Sequence, residues 1–322
     1  MCESVVILGP TASGKSALSL ALAEHYDIEI ISLDSALIYK GMDIGTAKPS
    51  KEELAICPHH LIDIVEPSVS YSAANFRNDC IRLVEEIKAR QHLPVICGGT
   101  MMYYKALCDG LSPLPSTEPE VRERVQKLAD EKGWPYVHSL LKEYDLAAYE
   151  RLAPNDKQRV ARALEVYYMT GRSMSSFYET PKEPCPFSRV EVVLLPENSD
   201  RTRLREQIKA RFIKMLEVGL VEEVQALLRR GDVESNMPSL KSVGYRQVYQ
   251  YLQGELSYDE MVDKAIIATA RLAKHQMTWL RGGLSDNGLT ERLELKIEDQ
   301  NKLQSLLEHL HTHPQVDKYR RL

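Results

Sequence analysis

What the sequence lacks narrows it first. No stretch reaches the roughly eighteen uninterrupted apolar residues that a membrane-spanning helix requires, so no membrane association is expected. Met1-Cys2-Glu3-Ser4 carries no basic leader, and the next apolar run ends in a glycine-rich loop, which argues against a secretory signal. The six cysteines (Cys2, Cys57, Cys80, Cys97, Cys108 and Cys185) include no C-x-x-C pair. That pattern fits neither a thiolate zinc site nor a disulfide framework, and it leaves single thiols in a reducing, cytoplasmic setting. Internal repeats and low-complexity tracts are missing as well. What remains is ordinary for a folded chain: 322 residues, 43% apolar and 27% charged, enough for one large domain or two moderate ones.

A net charge of −5 argues weakly against a nucleic-acid partner, but binding depends on the local field over a surface. Between Arg151 and Arg172 stand five basic residues (Arg151, Lys157, Arg159, Arg162, Arg172) against Asp156 and Glu165, a local net of +3. An anionic polymer therefore stays in play.

Val5-Val6-Ile7-Leu8 reads as a buried strand, residues 16–26 as a helix, 28–33 as a second strand ending at Asp34. Residues 71–90 have helical spacing, and 93–97 form another buried strand before Gly98-Gly99-Thr100. Strands alternating with helices predict a parallel sheet covered by helices. After a turn-rich connector the text is helical from 118 to about 171, three prolines in 181–187 mark a return, and 189–195 is a strand candidate. The expected architecture is an α/β, P-loop NTPase-like parallel sheet core (1–112 and 187–322) with an inserted all-helical subdomain (113–186). Further helices are expected at 202–218, 220–229, 257–280 and 300–309. The tail histidines His309, His311 and His313 read as a frayed polar terminus in preference to a metal site.

The sharpest chemical signal is Gly9, Pro10, Thr11, Ala12, Ser13, Gly14, Lys15 and Ser16, which fit G-x-x-x-x-G-K-[ST] between a strand and a helix. Such a loop turns successive N–H groups inward and adds the positive end of the following helix. Lys15 supplies a mobile charge for terminal phosphate oxygens, and Ser16 is the candidate Mg²⁺ ligand. The loop reports phosphate, not chemistry. A GTPase would also need N-K-x-D, which is absent, and the strand at 94–97 ends in Gly98-Gly99-Thr100, not in a metal-holding Asp. A small-molecule kinase using ATP and some other transfer from a polyphosphate both fit.

Asp34 ends a strand where open α/β sheets gather ligands, and it could orient Mg²⁺, accept a proton or merely cap a turn. Thr100 could bond a leaving oxygen, position a nucleophile or cap the next helix. The clusters Thr46-Ala47-Lys48-Pro49 and His59-His60-Leu61-Ile62-Asp63 either line the site or stitch a loop. By spacing alone Arg211 reads as a solvent-facing arginine, although its fork would suit paired phosphate oxygens.

Together with the P-loop, the string from Asp34-Ser35-Ala36-Leu37 through Gly45-Thr46-Ala47-Lys48-Pro49 resembles the tRNA dimethylallyltransferases. So do His59 to Asp63, Gly98-Gly99-Thr100, Arg162 to Val166, Val243-Gly244-Tyr245-Arg246-Gln247 and Ala273 to Arg281, in order along nearly the whole chain. The resemblance implies transfer of a dimethylallyl group from dimethylallyl diphosphate to N6 of adenosine 37 in a tRNA anticodon stem-loop, with Mg²⁺, by a monomer. It implies that the P-loop and Arg211 hold diphosphate, that Asp34 is the base and that Thr100 lies at the reacting centre. It also implies tRNA contacts at Asp34, Ser35, Ala36, Leu37 and Thr100; at Gln158, Arg159, Val160, Ala161 and Arg162; at Lys241, Ser242, Val243, Gly244, Tyr245 and Arg246; and at Arg271, Lys274, His275 and Gln276. Leu37, Gln207 and His275 depart from the family's commoner residues, none of them at the P-loop, Asp34, Thr100 or Arg211.

Overall fold

In the computed structural model, which describes residues 3–282 and 289–321, the chain forms two compact units, Met1–Asp109 with Pro184–Leu322, and Gly110–Glu183. Cys2 lies outside the described residues. The larger unit opens with β1 (Ser4–Leu8), α1 (Lys15–Leu22), β2 (Ile28–Leu33), α2 (Lys51–Ile56), β3 (His59–His60), α3 (Ala73–Ala89), β4 (Leu93–Gly98) and α4 (Met101–Asp109). The smaller unit holds α5 (Pro119–Lys132), α6 (Trp134–Tyr144), α7 (Leu146–Arg151), α8 (Lys157–Thr170) and α9 (Met174–Phe177). The larger unit resumes with β5 (Arg189–Leu195), α10 (Thr202–Glu217), α11 (Leu220–Arg229), α12 (Pro238–Lys241), α13 (Tyr245–Leu252) and α14 (Tyr258–Gly282). It closes with β6 (Leu289–Lys296), α15 (Lys302–His311) and α16 (Pro314–Asp317).

The strands make one parallel sheet in the order β3-β2-β4-β1-β5-β6. The expected α/β fold is the one found. Strands β1, β2, β4 and β5 are buried along their whole length, because helices cover a parallel sheet on both faces and each strand must be acceptable to both. Register positions the site: Leu8 and Leu33 both align with Gly98, so the residues that follow (Gly9, Asp34 and Gly99) emerge side by side at the carboxyl edge.

The amino end of β2 is held differently. Glu29 is almost fully buried, yet both its oxygens are saturated: Arg90 donates to them at 2.8 and 2.7 Å, and the rings of His92 and His60 lie at 2.8 and 2.6 Å. Burial pushes this carboxyl up, but the hydrogen bonds from Arg90, His60 and His92 outweigh it and hold the pKa at about 2.

Several readings need correction. The helix expected at 16–26 stops at Leu22, and Tyr26 instead pairs with Arg320 near the carboxyl terminus. The tail is not frayed: α15 and α16 bury Leu306, Leu310 and Val316, and His309 and His313 are largely enclosed. Strand β6 carries no apolar run because it is an edge strand, with Leu293, Leu295 and Ile297 alternating with charged residues that protect the edge from further pairing. No helix among the described residues is long and apolar enough to cross a membrane. The described cysteines are free and buried.

The helical unit has its own core, with Val125, Val137, Leu141, Val160 and Leu164 at its centre. Asp145 stitches it by accepting from the Ala148 and Ser175 amides at 3.1 and 2.9 Å.

Candidate active site

Ala12 and Gly14 both take left-handed backbone angles, φ 63° and 86°, which curl the loop between β1 and α1. Gly9 has no room for a side chain, since a Cβ there would stand 2.6 Å from Ser13 Oγ and 3.0 Å from Leu194. Ser13 donates to Pro10 O, whereas the N–H groups of Ala12, Gly14, Lys15 and Ser16 have no backbone acceptor among the described residues. Four amides at a helix start are thus left without a backbone acceptor, the condition for binding an anion there. Lys15 Nζ folds back onto Pro10 O at 2.8 Å. Burial pushes its pKa down to about 8; the Arg211 guanidinium pushes the same way, while Cys97 and Asp34 oppose. Burial likewise lowers Arg211, against the opposing pull of Asp34. Lys15 at the start of α1, Asp34 just past β2 and Arg211 on α10 thus stand near enough for the charges of Asp34 and Arg211 to act on Lys15.

Asp34 is half-buried. Its Oδ1 accepts from the Ala36 and Leu37 amides at 2.8 and 3.3 Å, so the turn-capping reading is realised by one oxygen. Its Oδ2 has no hydrogen-bond partner among the described residues and stays available for chemistry. Thr100 joins β4 to the same turn: its hydroxyl accepts from the Ser35 amide at 3.1 Å and lies 3.4 Å from Ser35 Oγ. Backbone bonds from Gly99 and Thr100 to Leu33 O fix this seam, and Gly98 must be glycine because a Cβ would sit 2.1 Å from Leu33 O.

Arg211 is half-buried, not solvent-facing, and donates to Thr46 O at 3.4 Å. The loop that offers this carbonyl is itself held from below. Glu223 accepts from the amides of Asp43, Ile44 and Gly45 at 2.8, 2.8 and 3.2 Å, and from Tyr245 Oη at 2.5 Å. Lys48 stitches the same loop, donating to Tyr39 O at 2.9 Å and bridging Asp43 and Asp63. Lys48 and Asp63 therefore tie the loop together.

The residues expected at an RNA surface divide. Gln158, Arg159, Lys241, Arg246, Arg271, Lys274 and His275 are exposed; Ser242, Val243 and Ala161 are partly so. Val160 and Tyr245 are completely buried, and Gly244 is buried too, which corrects the expectation that every residue of their strings faces a partner. Arg162 is committed within the helical unit, donating to Pro115 O at 2.6 Å and to Thr117. Arg151 and Arg172 lie over the rings of Tyr178 and Phe177, which holds both guanidiniums against the helical unit. Gln276 clasps the phosphate loop: its Oε1 accepts from Thr11 N and its Nε2 donates to Gly99 O, both at 2.8 Å. Sequence reasoning missed Glu223 altogether and the clasp made by Gln276; each acts through a contact with residues far away in the chain, which no local pattern signals.

A parallel sheet with an amide-lined loop, two cations and a half-free carboxylate at its carboxyl edge defines a P-loop protein adapted for group transfer. A family model described as IPP transferase matches residues 37–283. The full-length tRNA isopentenylpyrophosphate transferase of Bacillus halodurans is 30% identical, with 98% of each chain covered and a TM-score of 0.66. The tRNA delta(2)-isopentenylpyrophosphate transferase of Staphylococcus epidermidis is 31% identical, covering 96% of this chain and 97% of that one, with a TM-score of 0.63. A eukaryotic dimethylallyltransferase acting on tRNA shares the fold, with a TM-score of 0.78 at 24% identity over 96% of this chain and 78% of that one. The chain belongs to the IPP transferase family, the tRNA isopentenyltransferases, and is an enzyme.

Proposed function

We propose that the chain transfers a dimethylallyl group from dimethylallyl diphosphate to N6 of adenosine 37 in tRNA, releasing diphosphate, as a monomer in the cytoplasm. The observation that carries this reading is Asp34, which keeps one oxygen free at the same sheet edge as the loop whose amides lack backbone acceptors.

The adenine amine is a weak nucleophile because its lone pair is delocalised into the ring. As the N–C bond forms to the allylic carbon, the carbon–oxygen bond to diphosphate breaks and the amine proton becomes acidic. Asp34 Oδ2 accepts that proton, a contribution of about 10²–10⁴-fold. The leaving diphosphate gathers negative charge, which the P-loop amides, Lys15 and Arg211 stabilise more in the transition state than in the ground state. The Thr100 hydroxyl, tied to the Ser35 amide, keeps Asp34 in line.

Mg²⁺ suits the donor set: it takes oxygen ligands and few of them from protein, and the Ser16 hydroxyl is exposed at the first turn of α1. When bound, the ion neutralises charge on the diphosphate. Adenosine 37 has to leave its stack, at a cost of a few kcal/mol that contacts elsewhere offset. Exposed Gln158 and Arg159 on α8, Lys241 and Arg246 around α12 and α13, and Arg271, Lys274 and His275 on α14 supply such contacts.

The test is mass analysis of an anticodon stem-loop incubated with enzyme, Mg²⁺ and dimethylallyl diphosphate. A dimethylallyl increment on adenosine 37 is expected, with none when AMP replaces the stem-loop or ATP replaces the donor. Phosphate transfer from ATP without prenylation would overturn the reading in favour of a kinase.

A further inference from the structure

Strand β6 and the two C-terminal helices hold a group that the transfer chemistry does not use. Glu291 on β6, His309 in the last turn of α15 and His313 just before α16 converge so that one ligand atom from each lies within 4.8 Å of the others. Both histidines aim Nε2 at the same Glu291 oxygen, His313 at 3.1 Å and His309 at 3.9 Å. The two imidazoles are 14% and 13% exposed and neither Nε2 has a hydrogen-bond partner among the described residues, whereas Glu291 is 53% exposed and open to solvent. Two enclosed imidazole nitrogens thus crowd one carboxylate with no aligned hydrogen bond, which leaves a polar need unmet, and such needs are seldom tolerated in a native interior.

We propose that Glu291, His309 and His313 bind one divalent transition-metal ion, of which zinc is the best chemical match. A tetrahedral zinc with bonds of about 2.0–2.1 Å holds its ligand atoms about 3.3 Å apart, which lies between the two separations seen here. Two imidazoles and one carboxylate suit zinc, cobalt or nickel; Mg²⁺ and Ca²⁺ prefer all-oxygen sets. The rings meet edge to face with centroids 5.1 Å apart. His311 is not part of the group, since its Nδ1 pairs with Asp317 at 3.1 Å.

The site is remote from the phosphate loop in the plan of the sheet. Glu291 aligns with Val190 and Val190 with Val5, at the amino end of the strands, whereas the P-loop follows their carboxyl ends. The ion is therefore a staple. It ties the edge strand β6 to α15 and α16, leaving its fourth position to water through the exposed side of Glu291.

Full-length protein without a histidine tag, stripped with a chelator and dialysed into Mg²⁺, is titrated with Zn²⁺ by calorimetry and with Co²⁺ by visible absorption. One ion per chain is expected, with the intense absorption of four-coordinate cobalt and a higher unfolding temperature. H309Q and H313Q should each weaken binding by at least about tenfold, H311Q should leave it unchanged, and prenyl transfer should be the same with and without zinc. E291Q, at an exposed position, keeps the test valid should a histidine variant fail to fold. Absence of stoichiometric binding by the wild type, or binding that survives in E291Q and in H309Q/H313Q, overturns the proposal.

Discussion

Strand β2 carries a carboxylate near each end, and the two could hardly differ more. Glu29 at the amino end is sealed in and has both oxygens saturated by Arg90, His60 and His92. Asp34, just past the carboxyl end, gives one oxygen to backbone amides and keeps the other free. The same functional group is made structural at one end by completing its hydrogen bonds, and at the other it keeps the unspent acceptor that a base requires. The sheet edge decides which, because strand ends on the carboxyl side face loops and helix starts that admit a ligand.

Swapping the charge at each end should separate the two roles. Asp34→Asn is expected to slow single-turnover transfer by about 10²–10⁴-fold with stem-loop affinity and thermal unfolding unchanged; an unaltered rate would remove Asp34 as the base. The phosphate grip on the same edge should titrate: Lys15 is charged below about 8 in the free protein, so donor affinity should fall as pH rises through that value, by up to about tenfold per unit. Equilibrium binding of an unreactive donor analogue would check it, and Lys15→Met should flatten the profile.

Glu29→Gln is expected to cost about 1–3 kcal/mol of unfolding free energy while leaving the transfer rate per folded molecule intact. The pH signature has a defined sign. Glu29 is depressed from its ordinary 4.5 to about 2, so its stabilisation is complete above about 4.5 and is lost as pH falls through about 2. Denaturant melts across that window should be steeper in pH for the wild type than for the variant. The smallest effect is expected from Gln276→Ala, which removes the bond to Thr11 N and should weaken donor binding by about 1 kcal/mol, roughly fivefold, with tRNA affinity measured in parallel.

The same contrast explains what could be read in advance. Strands β1, β2, β4 and β5 were legible because a buried parallel strand is a continuous apolar run, and the P-loop and Asp34 were legible because they sit where such runs stop. Strand β6 was not, since an edge strand mixes charge into its pattern, and two-residue β3 is too short to have one. Lys48 was legible as a loop stitch because its partners are near in sequence, whereas Glu223 and Gln276 act on loops that the fold brings to them from elsewhere in the chain, so their roles have no local signature. Val160 and Tyr245 fail for the opposite reason: a contiguous string on a helix turns through all faces, so some of its members must point inward.

Helix α14 offers Arg271, Lys274 and His275 to solvent and, one residue further on, sends Gln276 inward to Thr11 and Gly99. One helix thus carries cations on its outside and a two-pronged hook on its inside. Any displacement of its axis would carry Gln276 along, so the cationic face and the Thr11 amide belong to one mechanical part.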